Sequence, residues 1–186
     1  RDRYSNVYRM DYNNDTATAV AKGPLSQPVW WHGSTGNSSY GYVAGGYHNG
    51  PSGGKSSIQR INYSNDTATA TIQSNLSVTY RGYAWGAAGN TDYAYIVGGY
   101  LYSTYIQRID YSNDTAAALA RANIAIGHDS PNGTTNASYG WFSGGGYYTK
   151  SHVDRIDYSN DTATASARAK LNPQRNATGA TNNGPA

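Results

Sequence analysis

The chain has no cysteine and no glutamate, and only one methionine and one phenylalanine. Without cysteine there is no disulfide, no thiolate metal site and no cysteine nucleophile. All eleven acidic residues are aspartate, so a strong helix former is missing and no carboxylate pair of the glycosidase kind stands out. Charged residues make up 13% of the chain, about half the usual share. The net charge is +3, and the arginines are scattered rather than gathered into runs, so nucleic acid is not an expected partner. No apolar run reaches membrane-spanning length and no signal-peptide pattern opens the chain, so membrane insertion is not expected. Position 1 is Arg1 rather than Met, which points to a processed product or a piece of a longer chain.

Leu, Ile, Val and Phe together supply 22 of the 186 residues, under the roughly 20% below which disorder is signalled. Disorder also requires high net charge, which is absent. Nineteen tyrosines provide the missing apolar area, and 22 glycines provide turns. A chain rich in Tyr, Thr, Gly, Asn and Asp favours strands and tight reversals over helices.

A tandem repeat dominates the sequence. Four segments align: Val7 to Ala19, Ile58 to Ala70, Ile106 to Ala118 and Val153 to Ala165, each close to the wording Ile-Gln-Arg-Ile-Asp-Tyr-Ser-Asn-Asp-Thr-Ala-Thr-Ala. The aspartates of their Asn-Asp-Thr triplets, Asp15, Asp66, Asp114 and Asp161, are spaced by 51, 48 and 47 residues. Between them recurs a second element, Tyr40 to Gly46, Tyr93 to Gly99 and Tyr139 to Gly145, which ends in the pairs Gly45-Gly46, Gly98-Gly99 and Gly144-Gly145. Each period holds four strand-like runs, a to d. The clearest set is a around Tyr83 to Ala88, b at Tyr93 to Val97, c at Tyr105 to Tyr111 and d at Thr115 to Ala120. Four short antiparallel strands recurring every 40–50 residues predict an all-β fold, a β-propeller built from blades. The whole chain, 1–186, reads as one such domain. Its repeats cover approximately 1–22, 23–73, 74–121, 122–168 and 169–186. Three blades are complete and partial ones bracket them, with a further strand a expected at Arg175 to Thr181, so part of a larger propeller is expected.

The order Gly-Gly, then a Tyr-Asp strand, then a Thr-bearing turn and a small-residue strand resembles the kelch repeat. Arg81 and Arg175 sit near the arginine of that family, with Trp30 and His128 in the same place in other blades. In strand d the tryptophan of the family is replaced by Ala19, Ala70, Ala118 and Ala165. The wording Arg-Ile-Asp-Tyr-Ser-Asn-Asp-Thr also resembles repeats of tail-fibre and other virion proteins of marine bacteriophages. That resemblance implies an extracellular, particle-borne adhesion or structural role. The four histidines, His32, His48, His128 and His152, fall in loops or strand ends at no ligand spacing, so no metal or cofactor is expected.

The repeated residues read as structural. Arg9, Arg60, Arg108 and Arg155 each precede an Asp or Asn by two positions, so both side chains share a strand face and a charge-assisted hydrogen bond is expected, within a blade or to its neighbour. The Asn-Asp-Thr triplets are also N-glycosylation sequons at Asn14, Asn65, Asn113 and Asn160, but their regular placement favours turn chemistry, with Asp and Thr bonding local backbone. The Gly-Gly pairs lack the following helix and lysine of a phosphate loop, and read as bends with close backbone approach.

Recognition is therefore expected in the irregular loops. Antiparallel threading places the d–a and b–c loops on one rim, and the a–b and c–d turns on the other. The first rim carries Trp30, Trp31, Tyr47, His48, Tyr80, Arg81, Tyr100, Tyr102, His128, Tyr147 and Tyr148, with Lys150 and His152 beside them. Such side chains suit sugar stacking and protein hot spots alike. The expected partners are a host-surface glycan or protein or other virion subunits, and self-association is open. A kelch-type protein–protein scaffold of cellular origin is the alternative. A secreted sugar-active enzyme of the galactose-oxidase sort ranks below both, because its copper site needs a cysteine cross-link.

Overall fold

The computed structural model describes residues 5–48, 53–78, 85–99, 103–128, 131–145 and 150–175. Each full period of the repeat forms one four-stranded antiparallel sheet. The first blade comprises β3 (Gly33–Gly36), β4 (Tyr40–Ala44), β5 (Ser57–Asn62) and β6 (Thr71–Asn75). The second comprises β7 (Trp85–Gly89), β8 (Tyr93–Gly98), β9 (Tyr105–Asp110) and β10 (Leu119–Asn123). The third comprises β11 (Asn132–Thr135), β12 (Tyr139–Ser143), β13 (Lys150–Asp157) and β14 (Ser166–Arg175). Ahead of them β1 (Tyr8–Arg9) pairs with β2 (Val20–Ala21) as a two-stranded sheet with the sequence of strands c and d. No α-helix occurs among the described residues.

The strands run a-b-c-d within each sheet, and the sheets stack in a row through their a strands, β3 on β7 and β7 on β11. Each inner blade is thus covered on both faces, which explains why β8 reads as a continuous run, Ala94-Tyr-Ile-Val97, with every side chain buried. One core cluster joins the first and second blades around Tyr42, Ile58, Ile96 and Ile109. Another joins the second and third around Tyr95, Ile106, Phe142 and Ile156. The row does not close into a ring among the described residues.

Two boundaries differ from the sequence expectation. Strand d of the second blade starts at Leu119 rather than Thr115. The chain first makes a 3-10 turn at Tyr111–Asn113, and Ala118 donates its N–H to Asn75 of the preceding blade at 2.9 Å, so pairing with β9 begins only at Leu119. Likewise Arg175 ends strand d of the third blade opposite Lys150, instead of opening a new strand a. The rest of that expected strand lies outside the described residues. The repeat boundaries at 73, 121 and 168 therefore fall inside strand d, and the joints lie after Asn75, Asn123 and Arg175.

The conserved-looking polar residues clamp blade to blade, in a pattern other than the one expected. Arg60 donates to Asp114 of the second blade at 2.8 Å, and Arg108 to Asp161 of the third at 2.8 Å. Arg9 reaches Asp66 of the first blade at 2.6 Å. The partner is thus the triplet aspartate one repeat later, not the residue two positions on. That nearer residue serves the turn instead: Asn62, Asp110 and Asp157 accept the backbone N–H of Ser64, Ser112 and Ser159. Asp110 and Asp157 are held below the usual carboxylate range, first by the serine hydroxyls that bond them. Local bonding by the triplet is left to Asn65, Asn113 and Asn160, whose amide oxygens accept from the threonine hydroxyls two residues on at 3.3–3.4 Å.

Tyrosines complete the clamp. The Tyr42 hydroxyl donates to Asp114 at 2.7 Å and its ring stacks on Tyr111 with centroids 4.9 Å apart. Tyr95 repeats this on Asp161 and Tyr158, at 3.0 Å and 4.8 Å. The recurrent alanines stand just ahead of strand d rather than within it. Ala70, Ala118 and Ala165 are buried at the junctions, where their N–H groups bond Pro24, Asn75 and Asn123 of the preceding repeat at 2.8–2.9 Å. All six glycines of the Gly-Gly pairs have positive φ, a backbone region that glycine enters without steric cost. A Cβ on Gly46 would also lie 2.7 Å from the carbonyl oxygen of Trp30.

Candidate functional site

The site begins with the d–a loop that leads into the first blade. Trp30 and Tyr47 exchange backbone hydrogen bonds at 2.9 and 2.8 Å, which ties this loop to the b–c loop on the same rim. Gly45 and Gly46, with φ of 67° and 101°, turn the chain out of β4 and deliver Tyr47 to this position. Tyr47 also bridges Gly54, and the His48 N–H donates to the Gly53 carbonyl at 2.6 Å, so the two described ends of the b–c loop are tied to each other.

Three aromatic rings meet there. Trp30 and Tyr47 stack with centroids 6.0 Å apart, Trp31 lies 6.0 Å from Tyr47, and the two tryptophans meet edge to face at 6.3 Å. Trp31 is 49% exposed, whereas Trp30, Tyr47 and His48 are half-buried. Trp31 is also the one non-glycine residue at positive φ, 51°, among the described residues. A bulky side chain held there costs on the order of 1–3 kcal/mol, and such strain collects at binding and switching sites. The conformation turns the Trp31 ring outward while its neighbour Trp30 packs inward.

Next to the platform, burial lowers the pKa of His32, which keeps its imidazole neutral at pH 7. Its Nδ1 is buried without a hydrogen-bond partner. The platform thus offers uncharged aromatic faces rimmed by polar edges. Chemically, this arrangement suits stacking against the apolar face of a sugar ring or burial of a partner side chain.

The structure gathers Trp30, Trp31, Tyr47 and His48 at one place. It removes His128 from the rim, which corrects the sequence reading. That side chain is fully buried, with Nε2 3.0 Å from Asp154 and Nδ1 on the carbonyl oxygen of Gly144. The physical reason lies in the preceding blades, where a buried glutamine occupies the Asp154 position. Gln59 accepts the N–H of Gln27, and Gln107 that of Val78, both at 2.9 Å, fastening each d–a loop. In the third blade the His128–Asp154 pair takes over this tether. Tyr80, Arg81, Tyr100, Tyr102, Tyr147 and Tyr148 lie outside the described residues. His152 lies on β13 opposite Lys170, half-buried.

A second concavity, of about 650 Å³, opens on the opposite rim and was not expected from the sequence. The ends of β3, β7 and β11 and their a–b turns enclose it, including Thr35, Asn37, Asn90, Asp92, Thr135 and Asn136. Asn37, Asn90 and Asn136 use their amide oxygens on backbone N–H groups of their own turns at 2.8–2.9 Å. The cavity is therefore an outcome of three like turns converging, and the amide oxygens of these asparagines are already occupied. Only the recurrence of Asn in the three a–b turns signalled it. No group of three or more metal-ligating side chains occurs among the described residues.

No protein-family model matches the chain, and a search of curated proteins found no match to it.

Proposed function

We propose that this chain is a non-enzymatic binding module of the kelch-like β-propeller kind, part of an extracellular virion appendage such as a tail fibre, which attaches to a host-surface glycan or protein through its aromatic rim. One observation carries the reading: Trp31 is held at positive φ and half exposed, on a platform with Trp30 and Tyr47. Arg9, Arg60 and Arg108 are engaged with Asp66, Asp114 and Asp161 between sheets, so discrimination of a ligand falls to residues that vary from repeat to repeat.

The test is a glycan array followed by titration of any sugar retained. Trp31→Ala should weaken binding at least about tenfold, in line with loss of an aromatic hot spot, with the circular dichroism spectrum and melting temperature preserved. An undiminished signal from the folded variant would refute the platform. Turnover of the sugar would refute the non-enzymatic role.

A further inference from the structure

The two ends of the row of sheets expose the two halves of an interface that the interior of the molecule has already assembled. At each inner junction the leading blade contributes a donor face. In the first blade it consists of Tyr42, Ala44, Ile58 and Arg60, and in the second of Tyr95, Val97, Ile106 and Arg108. All their apolar members are at most 1% exposed. The following repeat contributes an acceptor face: a strand-c isoleucine, the tyrosine of the 3-10 turn, the triplet aspartate and the alanine just ahead of strand d. In the second blade these are Ile109, Tyr111, Asp114 and Ala118, and in the third Ile156, Tyr158, Asp161 and Ala165.

Among the described residues, no further sheet packs substantially on the donor face of the third blade. Trp141, Ser143, Val153 and Arg155 occupy its four positions; the first three are half-buried where their counterparts are covered, and Arg155 is half-buried as Arg60 and Arg108 are. The Arg155 guanidinium lies 4.0 Å over the Tyr139 ring, as Arg108 lies 4.1 Å over Tyr93, but among the described residues no carboxylate pairs with Arg155. A second cation stands ready beside it. Lys22 and Arg121 supplement the clamp on Asp66 and Asp161 at 3.1 and 3.4 Å, and Arg168 is the residue in register with them on β14, exposed.

The first sheet presents the acceptor face. Met10, Tyr12, Asp15 and Ala19 are its members, and all four are exposed. Tyr12 is 89% exposed, against 49% for Tyr63 and half-burial for Tyr111 and Tyr158, which stack on a strand-b tyrosine. Asp15 has no cation within reach among the described residues. Charge and shape thus match across the two ends: one or two arginines with Trp141 on one, an aspartate with Tyr12 and Met10 on the other. Neither β1 nor β2 packs substantially on the third blade, so the halves are not satisfied by each other in this arrangement.

We propose that a second copy of this chain docks head to tail, its Tyr12–Asp15 turn seated on the Trp141–Arg155 face of the third blade. The contact is heterologous, with a different patch on each partner, so it propagates into a ring or a fibre rather than stopping at a twofold dimer. Arg155 would hold Asp15 of the incoming copy as Arg108 holds Asp161, and Arg168 would add the second cation.

Sedimentation velocity on the complete chain, over a range of concentrations, tests this. The average mass should rise with concentration and fall with added salt, since the clamp is an ion pair. Asp15→Arg and Arg155→Asp should each weaken association at least about tenfold. An equimolar mixture of the two variants should regain it, because every contact in the mixture pairs opposite charges. Recovery on mixing also shows that both variants are folded. A wild-type chain that stays monomeric throughout, as it would if the two ends met within one molecule, overturns the proposal. So does a mixture that fails to recover.

Discussion

At the scale of the residue, the unusual feature is how much of the interior is tyrosine. Burial raises the pKa of Tyr42, Tyr95 and Tyr111 well above the ordinary value, helped at Tyr42 and Tyr95 by the bonded aspartate. Tyr158 is pushed up to about 12, again chiefly by burial. The direction fixes the sign of the pH effect. A phenol whose pKa is higher folded than unfolded contributes stability that is complete below the unfolded value of about 10. That contribution disappears as pH climbs from there toward the folded value, because the unfolded chain releases its protons first. The expected outcome is a fold stable to about pH 10 that opens between there and about pH 12, with buried phenols ionising in step with unfolding. Phenolate absorbance and circular dichroism followed in one titration check it. Complete ionisation by about pH 10 with an unchanged dichroism spectrum would show that these rings are solvated.

At the scale of the element, each d–a loop is fastened by one buried side chain from strand c. Gln107 accepts the Val78 N–H and the Ser77 hydroxyl and donates to the Val78 carbonyl, so one amide serves three groups. Gln107→Ala removes all three bonds from a fully buried position. The cost expected is about 1–3 kcal/mol locally, read as exchange of the Val78 amide accelerated by roughly tenfold to a hundredfold with β9 and β10 still protected. Unchanged exchange at Val78 would mean the loop is held by other contacts. The same tether marks the limit of what sequence shows. The four-strand order, the turn positions and the glycine bends were legible because they rest on local chemistry: alternation, Asn-Asp turns, positive φ. The destinations of Arg60, Gln59 and Asp114 were not, because a contact across 54 residues, such as Arg60 to Asp114, is set by how sheets stack. His128 looked like a loop residue for the same reason. Only the stacking reveals that Asp154, in the glutamine position, reaches it. The aromatic rim was half legible: composition marked Trp30, Trp31 and Tyr47, while the positive φ of Trp31 left no trace in the sequence.

At the scale of the whole molecule, the repeats form a row in which each blade contacts its neighbours, so stability is a sum of blade terms and junction terms. Asp161 concentrates one junction on a single carboxylate, which receives Tyr95, Arg108 and Arg121. Asp161→Ala leaves the buried Tyr95 hydroxyl and the Arg108 guanidinium without an acceptor, a loss on the order of 3–5 kcal/mol. That loss falls on the link between the second and third blades rather than on either sheet. The third blade should therefore unfold first, converting a single urea transition into two. Trp141 in the third blade and the Trp30–Trp31 pair beside the first report the two events separately by fluorescence. Asp15→Ala is the control. Its carboxylate has the same place in the repeat but is exposed and, among the described residues, unpaired, so in dilute solution it should shift stability by no more than about 0.5 kcal/mol. If Asp161→Ala merely lowers the midpoint of one transition with an unchanged slope, the blades unfold together and the junctions are stronger than the single clamp. If both variants behave alike, the clamp contributes nothing, and the apolar contacts of Tyr95, Ile106 and Phe142 alone hold the blades together.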